Sequence, residues 1–135
     1  MITEDYVSFE TAKLLKEKGF NWPCHATYDT AVTGGKPKFS EYEVLNFFPF
    51  GIKNSDDKFS MVISAPTLQM AVKWLREVHN IFISIAFCIY PTEKRVTWTP
   101  EITTFESVFP ESAIEYDSSE RAAEAAIKYC LENLI

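Results

Sequence analysis

The feature that most constrains the fold is an uncharged run of ten residues, Ile81–Tyr90. Ile or Phe occupies every second position, and the positions between them carry Phe82, Ser84, Ala86, Cys88 and Tyr90. Because successive side chains of a strand point to opposite faces, the pattern predicts one core face and one half-apolar face. A strand covered at least partly on both faces belongs in the middle of its sheet. We therefore expect a central strand here.

Further strands are expected before and after this run in the sequence. Pro91–Lys94 supplies a turn, and Arg95–Thr99 alternates apolar and polar residues as the second strand of a hairpin. Turn residues and β-forming side chains predict three more strands, at His25–Val32, Glu41–Phe48 and Lys58–Ser64. Residues 100–116 contain Pro100 and Pro110 and have no clear period. They are expected to form an irregular surface connection.

Apolar residues at helical spacing predict three helices, at Phe9–Lys18, at Pro66–His79 and from Asp117 to the C-terminus. Gly19 and Phe20 follow the first helix, which indicates a Schellman ending that places Phe20 against Leu15. His79 falls in the last turn of the second helix, where a charged imidazole would favour the helix dipole.

The elements follow the order α-β-β-β-α-β-β-α, without βαβ alternation. This order predicts an α+β domain of two layers, a mostly antiparallel sheet with about three helices packed on it. A chain of 135 residues that is 47% hydrophobic is expected to be one compact domain, spanning 1–135, and not a disordered chain. No run approaches the ~18 apolar residues of a membrane span. Neither a basic nor an apolar signal segment opens the sequence, so we expect a cytoplasmic protein with no membrane partner.

The three cysteines predict neither a disulfide framework nor a metal site. Cys24, Cys88 and Cys130 are odd in number and far apart, with no CxxC pair. Cys88 and Cys130 lie in apolar patterns, where a free cysteine usually behaves as a small buried hydrophobe. The sequence has two histidines and no spaced ligand set. We expect no metal and no cofactor.

One local group could carry chemistry: Cys24 and His25, with Tyr28 and Asp29 just beyond. A thiol, an imidazole and a carboxylate are the components of an activated cysteine nucleophile. Adjacent residues of a strand point to opposite faces, however, so Cys24 and His25 would not meet directly. A structural role is favoured, and a ligand-binding or cysteine-dependent enzyme domain that uses Cys24, His25 and Asp29 is the alternative.

The formal net charge of -6 comes entirely from residues 101–135, which hold eight acids against two bases. Asp117 and Glu120 fit a capping box at the start of the last helix. Four other carboxylates precede that helix and could attract a basic partner: Glu101, Glu106, Glu111 and Glu115. Small basic clusters and a negative net charge argue against nucleic acid. A nucleic-acid-associated protein stays open as a second alternative.

Aromatic residues favour interaction with another protein. The segment Asn46–Gly51 places Phe47, Phe48 and Phe50 around a proline, next to a turn. An exposed aromatic there would anchor a partner protein or a second copy of the chain. The competing interpretation is that Phe47 and Phe48 cover two layers of the same domain. The leading hypothesis is a small non-enzymatic interaction protein.

Three blocks of the sequence carry a resemblance: YVSFETAKLLKEKGFNWPC, APTLQMAVKWLREVHNIFISI and ERAAEAAIKYCLENLI. With these blocks in this order, the chain resembles small uncharacterised proteins of Bacteroides-type gut bacteria and of their phages and mobile elements. The resemblance implies the context of a mobile-element accessory protein. It implies no activity and no catalytic residue.

Overall fold

The computed structural model describes residues 5–29, 38–44, 62–108 and 114–135 of the chain. Along these residues, three helices and five strands follow the predicted order. The α+β class and the order of elements are therefore confirmed. The chain divides into two compact units, residues 1–67 and residues 68–135. The single two-layer domain stays a prediction.

The first unit contains one helix and a three-stranded sheet. Its elements are α1 (Phe9–Glu17), β1 (Cys24–Asp29), β2 (Lys38–Val44) and β3 (Val62–Ser64). β1 lies between β2 and β3 and is antiparallel to both. All three strands overlap predicted strands, although β2 begins three residues before the predicted Glu41 and β1 one residue before His25. Other residues of the predicted strands, at 30–32, 45–48 and 58–61, lie outside the described residues.

Local sequence signals fix both ends of α1. The Ser8 side chain accepts a hydrogen bond from the Thr11 backbone N–H at 3.2 Å, which caps the helix N-terminus. At the other end, Phe20 N–H donates to the Leu15 carbonyl at 2.9 Å, and Gly19 N–H donates to the Lys16 carbonyl at 3.1 Å. These two bonds define the Schellman motif. Phe20 and Leu15 are both fully buried, so this prediction is confirmed.

Gly19 is expected to contribute to stability through its backbone conformation. Its φ of +92° lies in the left-handed region, and an added Cβ would meet nothing within 4 Å. Gly19→Ala should therefore lower the free energy of unfolding by about 1–2 kcal/mol through backbone strain alone. Gly19→Asn is the matched control, because Asn tolerates this conformation better. Urea denaturation followed by circular dichroism would measure both, and an unchanged midpoint for Gly19→Ala would contradict the assignment.

Hydrogen bonds join the segment before α1 to the rest of the first unit. The Tyr28 hydroxyl, which is buried, donates to the Val7 carbonyl at 2.7 Å. Val7 N–H donates to the Pro66 carbonyl at 3.0 Å, and Ala65 N–H donates to the Ala26 carbonyl at 2.8 Å. Each bond satisfies a polar group that would otherwise be costly to bury.

The second unit contains two helices and a two-stranded sheet. Its elements are α2 (Leu68–His79), β4 (Phe82–Tyr90), β5 (Arg95–Thr103) and α3 (Ser119–Asn133). β4 and β5 are antiparallel and stay in continuous register from Phe82 opposite Thr103 to Tyr90 opposite Arg95. Among the described residues β4 pairs with no strand except β5. The expected central position of Ile81–Tyr90 is therefore wrong for the described part of the chain.

β5 is longer than the sequence predicted, because it continues through Pro100 to Thr103. Trp98 N–H and C=O bind Tyr116, on the side away from β4. The backbone groups of successive strand residues point alternately to the two neighbouring sides. The nitrogen of Pro100 therefore faces the same side as Trp98, away from β4, so that its missing N–H costs no hydrogen bond to β4. The expectation of an irregular connection from residue 100 onward is corrected: Glu101 lies in a strand.

The two helices of this unit begin slightly later than predicted. α2 starts at Leu68 rather than at Pro66. Ser118, and not Asp117, caps α3: its side chain accepts from Arg121 N–H at 3.1 Å. The Asp117 carboxylate instead pairs with the Arg121 guanidinium at 3.3 Å on the exposed surface.

The predicted apolar stripe of α3 is confirmed. Its buried residues are Ala122, Ala123, Ala126, Ile127, Cys130 and Leu131. The stripe contacts both β4 and β5, and small alanines allow the close approach. In α2, Trp74 is 2% exposed and belongs to the core, whereas Val78, predicted on the apolar stripe, is 50% exposed.

Candidate functional site

The structure does not bring the cysteine and the histidine of the first unit together. Cys24 is buried, with its thiol 3.5 Å from the Trp22 carbonyl oxygen. His25 is exposed, on the opposite face of β1. Asp29 ends β1, and its side chain lies outside the description. A nucleophile and its base must lie within hydrogen-bond reach, and Cys24 and His25 do not.

The described residues contain neither a metal-binding group nor a membrane-spanning helix. No group of three or more His, Cys, Asp or Glu residues there could hold a metal ion. Within the same residues, no helix has both the length and the hydropathy needed to span a membrane.

The other two cysteines differ in their surroundings. Cys130 is buried in α3, and burial raises the pKa of its thiol to about 12. The thiol is therefore protonated and unreactive at neutral pH. Cys88 is exposed on β4, which corrects the expectation that it is a buried hydrophobe. Cys88 shares its face of β4 with Phe82, Ser84 and Ala86, which are exposed as well.

The four carboxylates expected to attract a basic partner do not share one setting. Glu101 is exposed on β5 opposite Ser84. Glu106 is exposed in the turn that follows β5. Glu111 lies outside the described residues, as do the aromatic candidates Phe47, Phe48 and Phe50.

Glu115 has partners within its own unit. Its Oε1 atom accepts a hydrogen bond from the Tyr90 hydroxyl at 2.9 Å and another from the Thr97 hydroxyl at 3.1 Å. The bond to Glu115 is the main cause that raises the pKa of Tyr90. The Arg95 guanidinium lies 4.2 Å from the centre of the Tyr90 ring. The two hydrogen bonds of Glu115 therefore hold the segment that contains it against the β4–β5 sheet.

A group of exposed apolar side chains lies at the turn end of the β4–β5 sheet. Phe87 is 62% exposed, Ile89 59% and Val96 37%. The Phe87 and Trp98 rings lie 5.7 Å apart, centre to centre. These four residues occupy one face of the sheet, because they alternate along each strand and oppose one another in register. We call them the apolar end.

The apolar end continues a face that helices cover farther along. On this face, Ile102 and Pro100 are buried and their partners Ile83 and Ile85 are half-buried. The burial of this face therefore decreases from Ile102 toward the turn between β4 and β5.

The apolar end forms a shallow groove with positive charge beside it. The groove has a volume of about 430 Å³ and is lined by Phe87, Ile89, Val96 and Trp98 together with Lys94 and Arg95. The sequence predicted the apolar periodicity of Phe87 and Ile89 but assigned them to the core.

The comparisons with known proteins add no relative. No protein-family model, no curated protein and no solved structure matches the chain.

His79 ends α2, as the sequence predicted, but its surroundings do not favour the charged imidazole expected there. Its ring lies 4.7 Å from the Trp74 ring in an edge-on arrangement. Its Nε2 atom is buried and has no hydrogen-bond partner in the described part of the chain. Burial lowers the pKa of His79 below 6.5. The neutral imidazole is thus favoured, and the charged form expected at the helix dipole is not.

The folded state should therefore lose stability when His79 is protonated. The unfolded chain takes up this proton near pH 6.5, while the folded chain takes it up at a lower pH. The free energy of unfolding should fall as the pH drops from 7.5 to 5.5. His79→Gln should flatten this dependence. Equal slopes in wild type and His79→Gln would contradict the assignment.

Proposed function

We propose that the chain is a small, intracellular, non-enzymatic protein that acts by binding another protein at the apolar end of its β4–β5 sheet. The observation that carries the proposal is the contiguous exposure of Phe87, Ile89 and Val96 on one sheet face. Adjacent exposed apolar side chains of this kind mark interaction sites more often than isolated ones do. The resemblance of the sequence supports the further proposal that it is an accessory protein of a bacterial mobile element or phage.

The free energy available at this surface supports binding. Full burial of a Phe or Ile side chain contributes about 1.5–3 kcal/mol. Phe87 and Ile89 still expose about three fifths of their surface. Each would therefore contribute about 1–2 kcal/mol when a partner covers it.

The groove also indicates the chemistry of the partner. Lys94 and Arg95 line it beside the aromatic and aliphatic side chains. Arg95 is already paired with Glu93 at 2.8 Å. A partner that presents an apolar side chain next to a carboxylate would fit, with the carboxylate near Lys94. The role of the exposed Glu101 and Glu106 toward a basic partner remains a separate prediction.

Site-specific photo-crosslinking tests the proposal. The photoreactive residue p-benzoylphenylalanine, placed at position 87 in cells that produce the protein, should give a discrete covalent adduct with a protein other than a second copy of the chain. The matched control places it at Phe105, which is 80% exposed and lies outside the apolar end. Ile89→Lys should weaken binding of the purified chain to the identified protein about tenfold. Equal labelling from both positions, or binding unaffected by Ile89→Lys, would overturn the proposal.

A further inference from the structure

One edge of β4 pairs with no strand of the described residues. Trp98 N–H and C=O bind Tyr116 rather than β4, so Trp98 and Phe87 form a non-hydrogen-bonded pair of the β4–β5 ladder. The N–H and C=O of Phe87 therefore also point away from β5. By alternation, the same holds for Ile83, Ile85 and Ile89. No strand of the described residues pairs with these groups.

β4 itself lacks three of the features that usually protect an edge strand. Proteins place charges, prolines, bulges or covering segments on such edges. β4 has no charged residue and no proline, and its register with β5 is continuous. β5 differs, because Tyr116 pairs with Trp98 and Val108 pairs with Thr103 along its outer side.

We propose that β4 pairs with β4 of a second copy of this chain, antiparallel about a twofold axis at Ala86. The two hairpins would then form a four-stranded sheet in the order β5-β4-β4-β5. This register opposes Ile85 to Phe87 of the second copy and Ile83 to its Ile89. In this register, every N–H and C=O group that points outward between Ile83 and Ile89 has a hydrogen-bond partner. A register shifted by two residues in either direction would leave some of these groups without one.

The two ends of the β4–β5 sheet explain why a second copy fits. The twofold axis keeps equivalent faces on the same side of the joined sheet. Exposed Phe87 and Ile89 of one copy would lie beside half-buried Ile85 and Ile83 of the other. The apolar end of each β4–β5 sheet therefore lies beside the helix-covered end of the sheet in the second copy.

Charge does not oppose self-pairing. On the other face of the sheet, Ala86 opposes Ala86 and Ser84 opposes Cys88 of the second copy. No like charges meet between the two β4 strands, and such pairs would be destabilising. The inference rests on the proposed function in one respect, because pairing buries part of the same apolar end.

Substitutions at Ala86 test the pairing without altering the apolar end. Ala86 is exposed and faces the opposite side of the sheet from Phe87. Ala86→Lys would place two like charges in a close cross-strand pair at the twofold axis. It should raise the dimer dissociation constant about fivefold or more, as measured by sedimentation equilibrium. Thr99→Lys is the matched control, since Thr99 lies beside Ala86 on β5 and away from the open edge.

Charge complementation completes the test. Ala86→Asp alone should also dissociate, and an equal mixture of Ala86→Lys and Ala86→Asp should form a one-to-one heterodimer. A wild-type chain that stays at 15.5 kDa, or an Ala86→Lys variant that dimerises as tightly as Thr99→Lys, would overturn the inference. Neither outcome affects a photo-adduct between position 87 and a different protein, so failure of the pairing and failure of the proposed function are distinguishable.

Discussion

The second unit depends on the antiparallel ladder between β4 and β5, which runs in continuous register over nine residue pairs. α2 and α3 contact β4, and α3 also contacts β5. The helices bury one end of a shared apolar face, around Ile102 and Pro100, and leave Phe87 and Ile89 exposed at the other. The same ladder therefore carries a buried core at one end, an exposed apolar end at the other, and a β4 edge that pairs with no strand of the described residues.

Elements whose signals are local could be predicted from the sequence. Ser8 and Gly19 define the ends of α1 through hydrogen bonds that span a few residues. The position of β4 in its sheet could not be predicted, because alternation reports which residues share a face and not what covers that face. The continuation of β5 through Pro100 could not be predicted either. Whether a proline nitrogen faces a partner strand depends on the register of the strands, and the nitrogen of Pro100 faces away from β4.

The residues of the candidate site divide in the same way, into those with local sequence signals and those whose setting depends on distant contacts. The sequence correctly indicated that Cys24 and His25 would point to opposite faces of a strand. It assigned Phe87 to the core and left Glu115 without a partner, because both assignments require contacts between distant segments. In the structure, Glu115 accepts hydrogen bonds from two side chains of the β4–β5 sheet. The two faces of the β4–β5 sheet therefore differ. One face binds the segment that contains Glu115, and the other carries the apolar surface proposed to bind another protein.

Amide hydrogen exchange at two protein concentrations tests the central claim, an open β4 edge that a second copy covers. In dilute solution, Ser84 and Ala86 should be protected by their bonds to β5, while Ile85 and Phe87 should exchange rapidly. At high concentration, Ile85 and Phe87 should become protected as well. Protection of all four amides in dilute solution, or rapid exchange of Ile85 and Phe87 at both concentrations, would contradict the account.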